Sequence, residues 1–114
     1  MNELVELCRK IATKAHTGQF RKFGDDRGKP YIIHPERVSR GTDNHLSECV
    51  ALLHDVLEDT SLSRFDLEDL EVPARVIKAV ESVTRNEGET YLDFILRARE
   101  DVIGREVKIL DIET

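Results

Sequence analysis

Apolar side chains recur at three- and four-residue spacing along this chain and nowhere alternate singly with polar ones. Alternation would mark half-buried strands, so the pattern leaves only packed helices. Residues 2–17 form the first, with Leu4, Leu7, Cys8, Ile11, Ala12 and Ala15 on one face, Asn2 as cap and Gly18 as stop. A loop over residues 18–34, punctuated by Gly24, Gly28 and Pro30, leads to a short helix over 35–40 with Pro35 in its first turn. The segment 45–59 carries a wide apolar face of Leu46, Cys49, Val50, Leu52, Leu53, Val56 and Leu57. Another short helix is expected near 63–70, and Pro73 opens a helix reaching Thr84. Asn86 to Glu89 read as a turn, and Thr90 caps a helix over 91–100. A last helix starts at Asp101 or Val102 and runs to Thr114. The expected class is therefore all-α, with six or seven helices.

At 114 residues the chain suits one domain. No apolar run approaches the roughly 20 residues of a membrane span, and no signal-peptide pattern opens the sequence, so a cytoplasmic protein without a membrane partner is expected. A net charge of −6 argues against general nucleic-acid binding. The charge is uneven, however. Residues 14–40 hold seven basic and three acidic groups, leaving that segment at +4 and the remainder at −10. A basic segment in an acidic protein suits a compact anion such as a nucleotide phosphate. Cys8 and Cys49 lack the spacing of a zinc site and read as small buried hydrophobes with reduced thiols.

The chemistry concentrates in LLHDVLEDT, residues 52–60. His54 and Asp55 are adjacent polar groups within an apolar helix, where burying them unpaired is costly. Glu58 and Asp59 follow each by four positions, which on a helix places all four groups in register. Imidazole plus carboxylate is a donor set for a borderline divalent cation, whose charge balances the cluster. Two further groups match: His34 in PYIIHPERV and Asp111 in VKILDIET. His16 reads as a packing residue between the first helix and the loop, and His45 as a surface residue.

The succession AHTGQFRKFGDDRGKPYIIHPERV, ALLHDVLEDT, SVTR, TYLDFI and EVKILD resembles the HD-type metal-dependent phosphohydrolases. It is closest in kind to the hydrolase domain of the bifunctional ppGpp synthetase/hydrolases and to the stand-alone small alarmone hydrolases. The resemblance runs from about Ile11 to Asp111 and implies an HD-domain helical bundle. It implies that His34, His54, Asp55 and Asp111 hold one divalent metal ion, usually Mn²⁺. It implies that Glu58 and Asp59 activate the attacking water, and that Arg21 and Lys22 contact a guanine nucleotide. The implied reaction removes pyrophosphate from the 3′ position of guanosine 3′,5′-bis(diphosphate), ppGpp.

The match departs from the family pattern in three places. That pattern has Arg after the last metal-binding Asp and Asn three residues later; here Ile112 follows Asp111 and the sequence ends at Thr114. The interval from His34 to His54 is shorter by about one helical turn, and the loop from Gly24 to Lys29 is longer. The expected unit is thus one HD-type domain over residues 1–114, without the family's C-terminal helices. Two readings follow: a pyrophosphohydrolase acting on ppGpp or a relative, and a non-catalytic metal- and nucleotide-binding module or fragment. Homo-oligomer formation is left open.

Overall fold

The structure, a computed structural model, describes residues 2–114. Its elements are α1 (Glu3–Ala15), α2 (Ile33–Arg40), α3 (His45–Leu53), α4 (Val56–Asp59), α5 (Arg64–Asp69), α6 (Ala74–Ser82), α7 (Tyr91–Arg99) and α8 (Val102–Glu113). Among the described residues there is no strand, only an isolated bridge between Phe20 and Pro30. The expected all-α bundle is what the chain forms.

Side chains set most of these boundaries. Asn2 accepts hydrogen bonds from the Leu4 and Val5 N–H groups, Thr90 from Asp93, and Asp101 from Gly104. Ser63 and Asp66 form a reciprocal capping box that starts α5. Pro73 precedes α6, where a missing N–H does no harm.

The central element is α3, whose Cys49, Val50, Ala51, Leu52 and Leu53 are all fully buried. Around it pack α1, α2, α6 and α8. The core is aliphatic, with Val38, Val56, Leu67, Val76, Ile77, Val80 and Val107 filling the space between the helices. Both cysteines lie within it, fully buried and unpaired, as small hydrophobes do. Where α8 crosses α6, the helices approach closely at Gly104. A Cβ there would lie 2.0 Å from Ser82 Oγ.

One expected element divides. The helix foreseen over 45–59 breaks at His54–Asp55 into α3 and α4; counted together, they leave seven helices among the described residues, within the six or seven expected. The break has a local cause. The His54 N–H reaches back only to Ala51 O, at 3.5 Å, and its own ring nitrogen Nδ1 contacts that carbonyl at 2.6 Å. The side chain thus competes for the backbone acceptor. A new turn starts at once, since Asp59 N–H donates to Asp55 O at 2.9 Å. In the other departure, α2 begins at Ile33, so His34 lies inside its first turn instead of just before it.

Residues 19–31 fold back as a pinned loop. Arg21 N–H donates to Lys29 O, Gly28 N–H to Arg21 O, and Tyr31 N–H to Gln19 O, at 2.8, 2.8 and 2.9 Å. Gly24 and Gly28 turn the chain at φ +80° and +86°, where a side chain would be strained. The carboxylate of Asp26 is held by the Arg37 guanidinium and by Lys29.

Candidate metal centre

Three elements bring four side chains together at one end of α3. His34 comes from α2, His54 and Asp55 from the α3–α4 break, and Asp111 from α8. Nε2 of His34 lies 2.7 Å from Asp111 Oδ1, and Nε2 of His54 lies 3.5 Å from the same oxygen and 3.0 Å from Asp55 Oδ2. The two imidazole centroids are 5.5 Å apart. Donor atoms of His34, His54 and Asp111 all fall within 4.8 Å of one another. Asp55 joins this group through His54, and its Oδ2 also accepts from the Tyr31 hydroxyl at 2.5 Å.

The electrostatics suit a cation. Nδ1–H of His54 faces the Ala51 carbonyl, which leaves Nε2 as the inward donor. That nitrogen is buried between two carboxylate oxygens yet makes no hydrogen bond of acceptable geometry. An orphaned buried donor atom flanked by acids is what a bound cation would resolve. Burial opposes charging His54, but the carboxylates of Asp111 and Asp55 outweigh it and raise its pKa. Burial likewise opposes ionisation of Asp111 and Asp55, yet contacts with His34 and His54 hold Asp111 low, and His54 and Tyr31 hold Asp55 low. Both carboxylates are thus kept in the ionised form that metal ligation requires.

Glu58 and Asp59 lie one turn farther on and outside the cluster. Glu58 Oε1 accepts from the Arg85 N–H at 3.3 Å, on the side of the 83–90 loop. Asp59 lines the cavity described below, on the side of the 19–31 loop. Burial and neighbouring acids, Asp55 among them, raise the pKa of both carboxyls, the direction that makes a carboxylate a better proton acceptor. Glu58 and Asp59 thus stay near Asp55 while facing different loops, as adjacent residues on a helix must.

Arg21 and Lys22 line a cavity of about 690 Å³ with Gln19, Phe20, Tyr31 and Asp59, a volume in the range of small-molecule sites. The Arg21 guanidinium sits 5.5 Å over the Tyr31 ring. Of the seven basic groups in this segment, Lys29 and Arg37 are spent on Asp26 and serve the loop itself. His16 is buried, with its ring 4.8 Å from that of Tyr31. Its Nδ1 contacts Gln19 Oε1 at 2.8 Å, and the Gln19 amide donates to Asp59 O at 2.7 Å. This ties the end of α1 to α4. His45 is exposed and contacts Asn2.

Three participants escaped the sequence reading. Tyr31 had a signal, three residues before His34 in PYIIHP. The backbone N–H of Arg85 had none. Arg97 holds the 83–90 loop through Thr84 O, Glu81 O and Glu89, and nothing in its neighbourhood announces that role.

No family model matches the chain. It is 35% identical over 112 residues to the guanosine-3′,5′-bis(diphosphate) 3′-pyrophosphohydrolase of Aquifex aeolicus, covering 87% of this chain and 15% of that protein. The Haemophilus influenzae protein of the same name is 34% identical, with 89% and 16% covered. The putative chloroplastic GTP diphosphokinase RSH1 of rice is 38% identical over 80 residues, with 67% and 8% covered. The chain thus spans less than a fifth of the length of these relatives. A solved metazoan ortholog of SpoT, described as hydrolysing ppGpp, superposes with a TM-score of 0.75 at 26% identity, over 97% of this chain and 67% of that one.

Proposed function

We propose that this chain, an HD-type hydrolase bundle similar to the hydrolase part of the ppGpp synthetase/hydrolases, is a metal-dependent 3′-pyrophosphohydrolase of ppGpp or a closely related nucleotide. The observation that carries the reading is the convergence of His34, His54 and Asp111, with Asp55 beside His54 and His54 Nε2 buried and unsatisfied between carboxylates. These four side chains are the proposed ligands of one divalent cation, with Mn²⁺ the expected ion. When bound, the cation supplies Lewis acidity to a phosphoryl oxygen and makes water a stronger acid.

The chain's own residues do the rest. Glu58 or Asp59 accepts the proton of the attacking water, which its raised pKa favours. Water adds across the bond between the 3′ oxygen and phosphorus, releasing pyrophosphate and guanosine 5′-diphosphate. Arg21 and Lys22 hold the nucleotide in the adjoining cavity, where cationic groups offset the charge on the phosphates. Among the described residues no helix is long and apolar enough to cross a membrane; a cytoplasmic site of action is proposed with the substrate.

The test is pyrophosphate release from ppGpp and from other 3′-phosphorylated nucleotides, with Mn²⁺ and with chelator. Metal-dependent release from ppGpp is expected. Metal and nucleotide binding without release from any of them would make the chain a binding module instead.

A further inference from the structure

The cavity that holds Arg21 and Lys22 and the cluster of proposed ligands are adjacent, and one side chain belongs to both. Tyr31 closes the 19–31 loop through its N–H bond to Gln19 O at 2.9 Å. Its carbonyl accepts from the His34 N–H at 3.0 Å. Its ring neighbours two groups, the Arg21 guanidinium at 5.5 Å and the His16 ring at 4.8 Å. Its hydroxyl donates to Asp55 Oδ2 at 2.5 Å, the separation of a strong charge-assisted bond. No other hydrogen bond reaches that carboxylate among the described residues, and the same oxygen lies 3.0 Å from His54 Nε2.

We propose that Tyr31 is a positioning residue that couples the two halves of the site, its hydroxyl aiming the Asp55 carboxylate at the cation while its ring seats Arg21 against the nucleotide. This rests on the metal-site reading above. An Asp on the break between α3 and α4 has free rotation about its side-chain bonds unless something fixes it, and the hydroxyl is the fixed point the structure provides. Ligand-orienting partners of this kind are worth roughly 10–100-fold in metal affinity.

The experiment titrates Mn²⁺, followed by electron paramagnetic resonance of the free ion, onto the native chain, Tyr31→Phe and Tyr31→Ala. Phenylalanine keeps the ring and removes only the hydroxyl. Tyr31→Phe should bind Mn²⁺ roughly 10–100-fold more weakly while its metal-free melting temperature and its affinity for GDP stay near native. Tyr31→Ala should lose GDP affinity as well, because Arg21 loses its seat. Native-like Mn²⁺ affinity in Tyr31→Phe overturns the proposal. A native chain that takes up no Mn²⁺ overturns the metal site itself and the proposal with it, so the two failures are distinguishable. A second measurement leaves Tyr31 itself unaltered. In Tyr91→Phe, Tyr31 is the sole tyrosine, and its ultraviolet difference spectrum should shift on Mn²⁺ binding. A spectrum unchanged at saturating metal contradicts the coupling.

Discussion

Nε2 of His34 and Oδ1 of Asp111 stand 2.7 Å apart although 77 residues separate them in sequence. They join α2 to α8, and the proposed cation site depends on both. Replacing His34 or Asp55 by Ala should abolish Mn²⁺ binding. Glu58→Ala should retain the metal and lose turnover by about 10²–10⁴-fold, the usual worth of a positioned base. Metal analysis of the purified variants decides this; equal metal loss in Glu58→Ala would make Glu58 a ligand.

The pinned loop yields a second expectation. Arg21→Ala and Lys22→Ala should each weaken nucleotide binding and leave metal content unchanged, because both line the cavity and neither touches the ligand cluster. Arg37→Ala should weaken binding indirectly, by releasing Asp26 and with it the loop. Calorimetric titration at fixed Mn²⁺ reads all three. Native affinity in both Arg21→Ala and Lys22→Ala would leave the cavity a solvated surface.

Metal should also stabilise the fold, since a cation that binds only the native chain contributes RT ln(1 + [L]/Kd), roughly 2.7 kcal/mol at a hundredfold excess over Kd. For a domain of this size that amounts to a rise of several degrees or more in melting temperature. Melting curves with excess Mn²⁺ and with chelator make the comparison. Superimposable curves would mean that the site does not close on the ion.

Acid should loosen the 83–90 loop in a defined range. The Arg97 guanidinium, helped by the Asn86 N–H, lowers the Glu89 pKa from 4.5 to about 2. The folded chain therefore binds fewer protons there than the unfolded one. The stability this contact contributes is present above pH 4.5 and is lost as pH falls through about 2. Melting temperature against pH should fall less steeply over that window in Glu89→Gln than in the native chain. Parallel profiles would remove Glu89 from the account.

Gly104→Ala tests how α8 is held. A methyl group there would lie 2.0 Å from Ser82 Oγ and 3.3 Å from Ser82 Cβ. Alanine gains about 1 kcal/mol of helix propensity over glycine, but overpacking costs about 1–3 kcal/mol, so net destabilisation is expected. Ser82→Ala in the same chain removes the closest clash and should recover most of the loss. Denaturant unfolding of the single and double variants measures both effects; a stabilised Gly104→Ala would show that the crossing has slack.

Helix existence and type were legible throughout, because caps such as Asn2, Thr90 and Asp101 and the apolar spacing act locally. The break at His54 was not. The periodicity of 45–59 continues through it, and only the capture of Ala51 O by the His54 ring reveals it. The same limit applies to the site. His34, His54, Asp55 and Asp111 carry their chemistry in their side-chain types and could be named. Tyr31 and Arg97 act through distant partners, and the Arg85 N–H could belong to any residue type, so their roles exist only once the chain has folded.

The chain order of the proposed ligands sets an order of assembly. His34 and His54 are 20 residues apart and can meet once α2 has packed on α3. Asp111 must close a span of 77 residues from His34. Loop closure of that length costs about 1.2 kcal/mol more than closing the shorter one, at about 0.6 kcal/mol per doubling. During synthesis it also waits until Asp111 itself has emerged, since N-terminal segments appear first. A chain made only as far as α7 would therefore hold an incomplete, weak cation site, and capture of the ion would coincide with the docking of α8.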